Sequence, residues 1–236
     1  INLSVKHKVN NKLSIASEFS QSNNDVNTFS KKDNSDNIGY AGIIDLNYLN
    51  KINEEKNTLF TLTISNEFVS KHYSSVERFR EIEFNRNWNI NSVNSNQFHS
   101  QIGTSLKGNS LFNFDYIFDY LNIYKYNGFK NEINFTTKSF RRFTIDGYGS
   151  YLNTYDNDIK TAYIKLKPQV KYNMSKFVFT GFNEIEKNRF TTNDSLLANS
   201  FFYYLNGINI AYNNTSPNNK SLNINVLYSG RKNMLP

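Results

Sequence analysis

Apolar and polar residues alternate one by one along most of this chain. Residues 1–9 set Ile1, Leu3, Val5 and Val9 on one side and Asn2, Ser4, Lys6 and Lys8 on the other. Leu13, Ile15 and Phe19 oppose Lys12, Ser14, Glu18 and Ser20. The same period of two runs through Ile38 to Tyr48, Phe60 to Ile64, Phe112 to Tyr120, Phe129 to Phe135, Ala162 to Tyr172 and Leu222 to Tyr228. A weaker alternation marks 98–106, 142–152, 176–186 and 201–212. Successive side chains of a strand point to opposite faces, so the pattern predicts about a dozen antiparallel strands sharing one apolar and one polar face. Helical periodicity is sustained nowhere. Strands of about nine to twelve residues exceed the usual 5–6 and match the roughly 9–11 of a tilted membrane strand.

The connections alternate too, short then long. Val9–Lys12, Lys51–Asn57, Lys107–Ser110, Ser139–Arg142, Asn173–Lys176 and Asn213–Lys220 read as the turns of one rim. The first reads as a two-residue hairpin loop, with Asn tolerating positive φ. Ser20–Asn37, Glu67–Gln97, Leu121–Lys130, Asn153–Lys160 and Glu186–Ser200 read as the looser stretches of the other. Bacterial outer-membrane barrels leave this imprint, with short turns inside and long loops outside. The expected fold is all-β, an antiparallel up-and-down transmembrane β-barrel with about 12 strands visible. Residues 1–236 are expected to form a single barrel segment with a long extracellular loop at 67–97. If the tight turns are periplasmic, the first strand starts outside and the last one finishes outside. The segment is then expected to be incomplete at both ends and part of a larger barrel.

Composition narrows the class. The hydrophobic fraction is 38% and the mean hydropathy −0.61, with no stretch near the roughly 20 apolar residues of a spanning helix. A barrel escapes that test, since only every second residue meets lipid. Aromatic residues reach 16%, with 20 Phe and 16 Tyr, which suits a wall with aromatic girdles. A soluble sandwich would show shorter strands and more Gly and Pro at its corners, whereas only Pro168 falls inside a proposed strand. The chain has no Cys, so disulfides and thiolate metal sites are excluded. The net charge of +7 is scattered over turns and alternate strand positions, so no nucleic-acid partner is expected.

The richest local feature is the segment Glu77–Asn89, which holds the single Trp, three Arg and three Glu. Alternation sets Arg78, Arg80, Arg86 and Trp88 on one side and Glu81 and Glu83 on the other. These four residues are the candidates for a partner or ligand loop, built as a short β excursion, because Arg and Trp are common interface anchors. A salt-bridged loop packed over or into the barrel is the favoured alternative. His7, His72 and His99 lack metal-ligand spacing. The pairs Glu81/Glu83, Asp115/Asp119 and Glu184/Glu186 read as same-face acids on solvated elements. No phosphate loop, nucleophile elbow or zinc motif is present, so no catalysis, cofactor or metal is expected.

The Tyr-, Phe-, Asn- and Lys-rich stretches Leu111–Tyr126 and Phe201–Tyr212, with the charged aromatic segment Arg78–Trp88, resemble the large outer-membrane β-barrels of Bacteroidota. Those include barrels similar to TonB-dependent transporters and to the type IX secretion translocon. The resemblance implies a non-enzymatic wall of a channel, transporter or secretion pore in the cell outer membrane. Its partners would be outer-membrane lipid and other outer-membrane or surface proteins. No TonB box or plug domain is visible, and no functional residues carry over. A secreted β-rich adhesin or carbohydrate-binding protein is the competing class.

Overall fold

The computed structural model describes residues 1–25, 36–53, 57–77, 79–90, 95–108, 112–140, 142–213 and 221–234. They form one antiparallel up-and-down sheet of 13 strands. The strands are β1 (Asn2–Lys8), β2 (Leu13–Asn23), β3 (Ile38–Asn53), β4 (Thr58–Val69), β5 (Gln97–Gly108), β6 (Phe112–Ile123) and β7 (Tyr126–Phe140). They continue as β8 (Phe143–Asp156), β9 (Ile159–Met174), β10 (Phe177–Thr192), β11 (Ser195–Leu196), β12 (Phe201–Asn213) and β13 (Ser221–Asn233). Each pairs with its neighbour in the chain, except that the two-residue β11 only folds back on β10, leaving β10 to pair with β12. The sheet is not closed: β1 and β13 are its edges. The one helix among the described residues, α1, is the single turn Phe84–Asn87.

Register carries the sequence alternation across the sheet. On the apolar face Ile15 pairs with Leu46, Leu46 with Ile64, Ile64 with Ile102 and Ile102 with Phe118. On the polar face Asp45 pairs with Ser65, Ser65 with Gln101, Gln101 with Asp119 and Asp119 with Lys130. A one-residue slip would exchange the two faces, and the two register shifts lie at strand ends, between Lys51 and Asn53 and between Thr137 and Phe140. Pro168 sits inside β9. It faces Gly147 of β8, while the ladder toward β10 lapses between Gln169 and Leu166, where proline has no N–H to give.

The length alternation of the connections is only partly present. Leu121–Lys130 and Asn153–Lys160 are not loose stretches: two-residue turns, Tyr124–Lys125 and Asn157–Asp158, join strands that continue to the rim. Their polar residues are strand residues that satisfy one another. Asn122 Nδ2 donates to Asn127 Oδ1 at 2.7 Å and the Tyr120 hydroxyl donates to the same oxygen at 3.1 Å. Tyr124 and Asn157 take φ of 51° and 53°, which lets each turn close in two residues. The strands beside these turns therefore reach 15 residues in β7, 14 in β8 and 16 in β9, longer than the sequence suggests. The first turn also differs. Asn10 makes it with its side chain, Oδ1 accepting from the Lys12 and Leu13 amides at 2.8 and 2.9 Å, rather than through positive φ. Most of Asn213–Lys220, and the tip of Lys107–Ser110, lie outside the described residues.

Candidate functional site

The long connection between β4 and β5 folds back over the polar face of the sheet. Its entry is fixed by backbone contacts to β2 and β3: the Tyr40 amide donates to Ser70 Oγ at 2.7 Å and the Ser74 amide to Ser22 Oγ at 3.0 Å. Gly39 makes this approach possible, because a Cβ there would overlap the backbone of Tyr73. Further along, the chain winds into α1, with Trp88 N donating to Phe84 O at 3.1 Å. Asn89, at φ 54°, ends the turn in the left-handed conformation that asparagine tolerates.

That helical turn replaces the expected β excursion and changes which residues stand together. Positions four apart share a helix face, so Phe84 and Trp88 point together at the sheet, ring centroids 6.3 Å apart. Arg86, two residues from Trp88, turns away. Its side chain is 76% exposed and pairs with Glu83 at 2.9 Å. Trp88 is 1% exposed and packs with Leu121, Ile123, Tyr126 and Leu152 into the one buried apolar cluster among the described residues. Its floor is Gly128, where a Cβ would lie 2.9 Å from the indole ring. Lys130 Nζ sits 5.2 Å from the ring centroid, and His99 meets the ring edge-on at 5.8 Å.

Arg80 is the second anchor. Its guanidinium lies 4.3 Å over the Phe84 ring and binds Glu67 of β4 and Gln97 of β5. A planar fork that is both stacked and ion-paired is a role lysine cannot fill. Arg78 lies outside the described residues. Of the four candidate loop residues, Arg80 and Trp88 are thus turned into the sheet and Arg86 into solvent.

A ladder of charges crosses the polar face beside this loop. Asp119, 1% exposed, accepts from Gln101 Nε2 at 2.8 Å and lies 3.2 Å from His99 Nε2 and 3.6 Å from Lys130 Nζ. Lys130 also reaches Glu132 at 3.4 Å, and the Tyr148 hydroxyl donates to Glu132 at 2.8 Å. Lys165 then binds Glu186 and stands 3.4 Å from Glu184, which pairs with Lys167 at 2.7 Å. Glu184 and Glu186 are therefore lysine partners on one face. Among the described residues, no three His, Asp or Glu side chains gather to hold a metal ion.

Between α1 and the polar face of β7–β12 lies a cavity of about 690 Å³, with Arg86, Asn87 and Asn89 on the loop side. Its sheet side includes Glu132, Tyr148, Tyr163, Lys165, Asn188 and Phe201. Neither a protein-family model nor a curated protein matches the chain. Sequence alternation placed the strand residues on the faces of the sheet that they occupy. It missed the cavity, Tyr126 and Gly128, because the fold-back of the loop depends on shape rather than on periodicity. A glycine on the polar side of an otherwise bulky alternation was the one available signal.

Proposed function

We propose that this chain forms the membrane-embedded wall of an outer-membrane β-barrel, part of a channel, transporter or secretion pore, with no enzymatic activity of its own. The observation that carries this reading is the order of side chains on the apolar face. Two aromatic rows border a band that is mostly aliphatic, although β6 also carries Phe114, Tyr116 and Phe118 within it. Five strands place an aromatic in each row, eight residues apart: Tyr40 and Tyr48, Phe60 and Phe68, Phe112 and Tyr120, Phe143 and Tyr151, Tyr204 and Tyr212. Rings of neighbouring strands approach one another along the rows, as in Phe19–Tyr40 at 5.9 Å, Tyr120–Phe129 at 5.0 Å, Phe143–Tyr172 at 4.5 Å and Phe177–Tyr212 at 5.0 Å.

Eight residues of strand span roughly 26 Å. A tilt of about 40° lowers that to a height of about 20 Å, just inside the apolar band of about 25 Å that aromatic girdles flank in such barrels. A soluble sheet has no reason to sort its exposed aromatics into two rows at this spacing. Several polar groups that interrupt the band are paired with one another, as lipid would favour. Ser100 donates to Asn66 at 2.8 Å, Tyr116 to Asn131 at 2.7 Å, and Asn183 to Asn206. No helix among the described residues is long and apolar enough to cross a membrane.

In this reading the polar face lines a hydrated lumen, and the loop carrying Arg80 and Trp88 narrows it from within. Hydrocarbon offers no hydrogen bonds, so both free edges, β1 and β13, need strand partners in the bilayer. The partners are outer-membrane lipid and neighbouring outer-membrane or surface proteins. Cell fractionation tests the reading: the protein should stay with carbonate-washed outer membranes and need detergent for release. Recovery in the soluble fraction without detergent would instead assign the chain to a secreted adhesin or carbohydrate-binding protein.

A further inference from the structure

Charge on the apolar face of the sheet is confined to one corner. Among the described strand residues this face carries no Asp or Glu, and its only Lys and Arg side chains are Lys160, Lys187, Arg189 and Lys232. Register gathers them from β9, β10 and β13 at the strand ends nearest the loops. Lys187 and Arg189 stand two residues apart on β10, a separation of about 7 Å. Lys187 faces Phe202 of β12 and Phe202 faces Lys232 of β13, which sets the two lysines about 10 Å apart. Lys160 faces Thr191, a diagonal step from Arg189. None of these cations makes an ion pair among the described residues, although Lys130, Lys165, Lys167 and Lys171 on the polar face all do. Asp158 and Asp194 lie in the adjoining turns, and neither pairs with the cluster.

Unpaired cations this close repel one another, which favours a partner of opposite charge. The position of the cluster restricts that partner. Phe202 lies between two of the cations, and Tyr151, Ile164 and Tyr204 adjoin them on the same face. Ile185, Ile208 and Val226 continue that face toward the middle of the sheet. A soluble anion gains nothing from these apolar groups, whereas an amphiphile with a phosphate head uses both. Lysine meets phosphate as a point charge and arginine as a planar fork, each through charge-assisted hydrogen bonds. A cation on a lipid-facing strand costs least at the interface, where long Lys and Arg side chains reach the head groups.

We propose that Lys160, Lys187, Arg189 and Lys232 bind the phosphate group of an anionic lipid, whose acyl chains lie against Ile185, Ile208 and Val226. The site rests on the membrane reading, and flotation tests that reading separately. The full chain is reconstituted in phosphatidylcholine vesicles and floated on a density gradient. Native mass spectrometry in a neutral detergent then measures binding of phosphatidic acid and of phosphatidylcholine with the same acyl chains. Inorganic phosphate and hexaglutamate serve as competitors.

Phosphatidic acid should bind at least about 25-fold more tightly than phosphatidylcholine, about fivefold for each of two cations on one phosphate. Lys187→Gln combined with Arg189→Gln should lose about that factor. Lys160→Gln combined with Lys232→Gln serves as a second pair if the first variant does not float. Lys8→Gln combined with Lys12→Gln, at the opposite rim, should leave the preference unchanged. Failure of the unaltered chain to float would remove the membrane reading and this site with it. A floating chain that binds both lipids equally, or that loses as much through Lys8 and Lys12, would overturn the site alone. Displacement of the lipid by equimolar inorganic phosphate would mark a soluble-anion site, and displacement by equimolar hexaglutamate an acidic-protein surface. Either result would overturn the proposal.

Discussion

The hydroxyl of Tyr126 donates a 2.6 Å hydrogen bond to the main-chain carbonyl of Trp88, 38 residues earlier in the chain. Tyr126 opens β7 and Trp88 ends α1, so this bond fastens the long loop to the sheet at the point where both residues are almost fully buried. Tyr126→Phe keeps the ring and leaves the carbonyl without its donor. The expected cost is about 1–3 kcal/mol, concentrated in the loop. Hydrogen exchange should show faster exchange in residues 79–90 with little change in β8–β10. Unchanged loop protection would show that the apolar cluster alone holds α1.

Gly128 is the floor under the indole. Gly128→Ala places a methyl 2.9 Å from the Trp88 ring and 2.6 Å from the Tyr126 hydroxyl, so the ring has to lift. Trp88 is the single tryptophan, which makes its emission a direct report. A red-shifted maximum and stronger quenching by iodide are expected, whereas Gly149→Ala, where a Cβ meets only a Leu166 methyl at 3.4 Å, should leave the emission as it is.

Arg80 and Arg86 carry the same charge on the same loop and should behave differently. Arg80→Ala removes the partner of Glu67, both side chains being less than one-fifth exposed, and is expected to cost about 2–3 kcal/mol. Arg86→Ala breaks an exposed pair within a helical turn and should stay within about 0.5 kcal/mol. Thermal or denaturant unfolding of the two variants measures the difference. Equal effects would mean that Arg80 is not an anchor.

The two faces of the sheet make opposite demands on a new charge. Ile64 lies in the middle of the aliphatic band between Leu46 and Ile102, while Ser65 lies on the polar face between Asp45 and Gln101. In a bilayer, Ile64→Arg should cost about 2–4 kcal/mol and reduce assembly in the outer membrane. Ser65→Arg, next to Asp45, should assemble normally. The amount of protein in washed outer membranes reports both, and equal assembly would remove the distinction between the faces.

The sheet was legible in the sequence because a period of two is a local property: Phe112 to Tyr120 announces its two faces without knowledge of any neighbour. Chain ends of strands were less legible. Asn122, Asn127 and Asn157 look like loop residues in a linear reading, yet the first two lie in strands, where their amides find each other only once β6 and β7 are paired, and Asn157 closes a two-residue turn at positive φ. The loop packs on the sheet through ion pairs, as the favoured alternative had it, but the β excursion and its division into sides fail for a related reason. Alternation at 78–88 mimics a strand, but Phe84 and Trp88 are four apart, and the tertiary surface offered by Gly128 and Leu121 favours the helical spacing. Arg80 was named from alternation and residue type, and its partners Glu67 and Gln97 follow from the β4–β5 pairing, which brings the two loop ends together.

The central claim is that one face of this sheet meets lipid and the other water, and β4 tests it most directly. Single spin labels are introduced at each position from Phe60 to Ser65 in protein reconstituted in lipid vesicles. Their relaxation is measured with dissolved oxygen, which concentrates in lipid, and with a water-soluble nickel chelate. Oxygen access should peak at Phe60, Leu62 and Ile64, and chelate access at Thr61, Thr63 and Ser65, alternating with a period of two. Equal chelate access at all six positions would contradict the membrane wall and place both faces of the sheet in water.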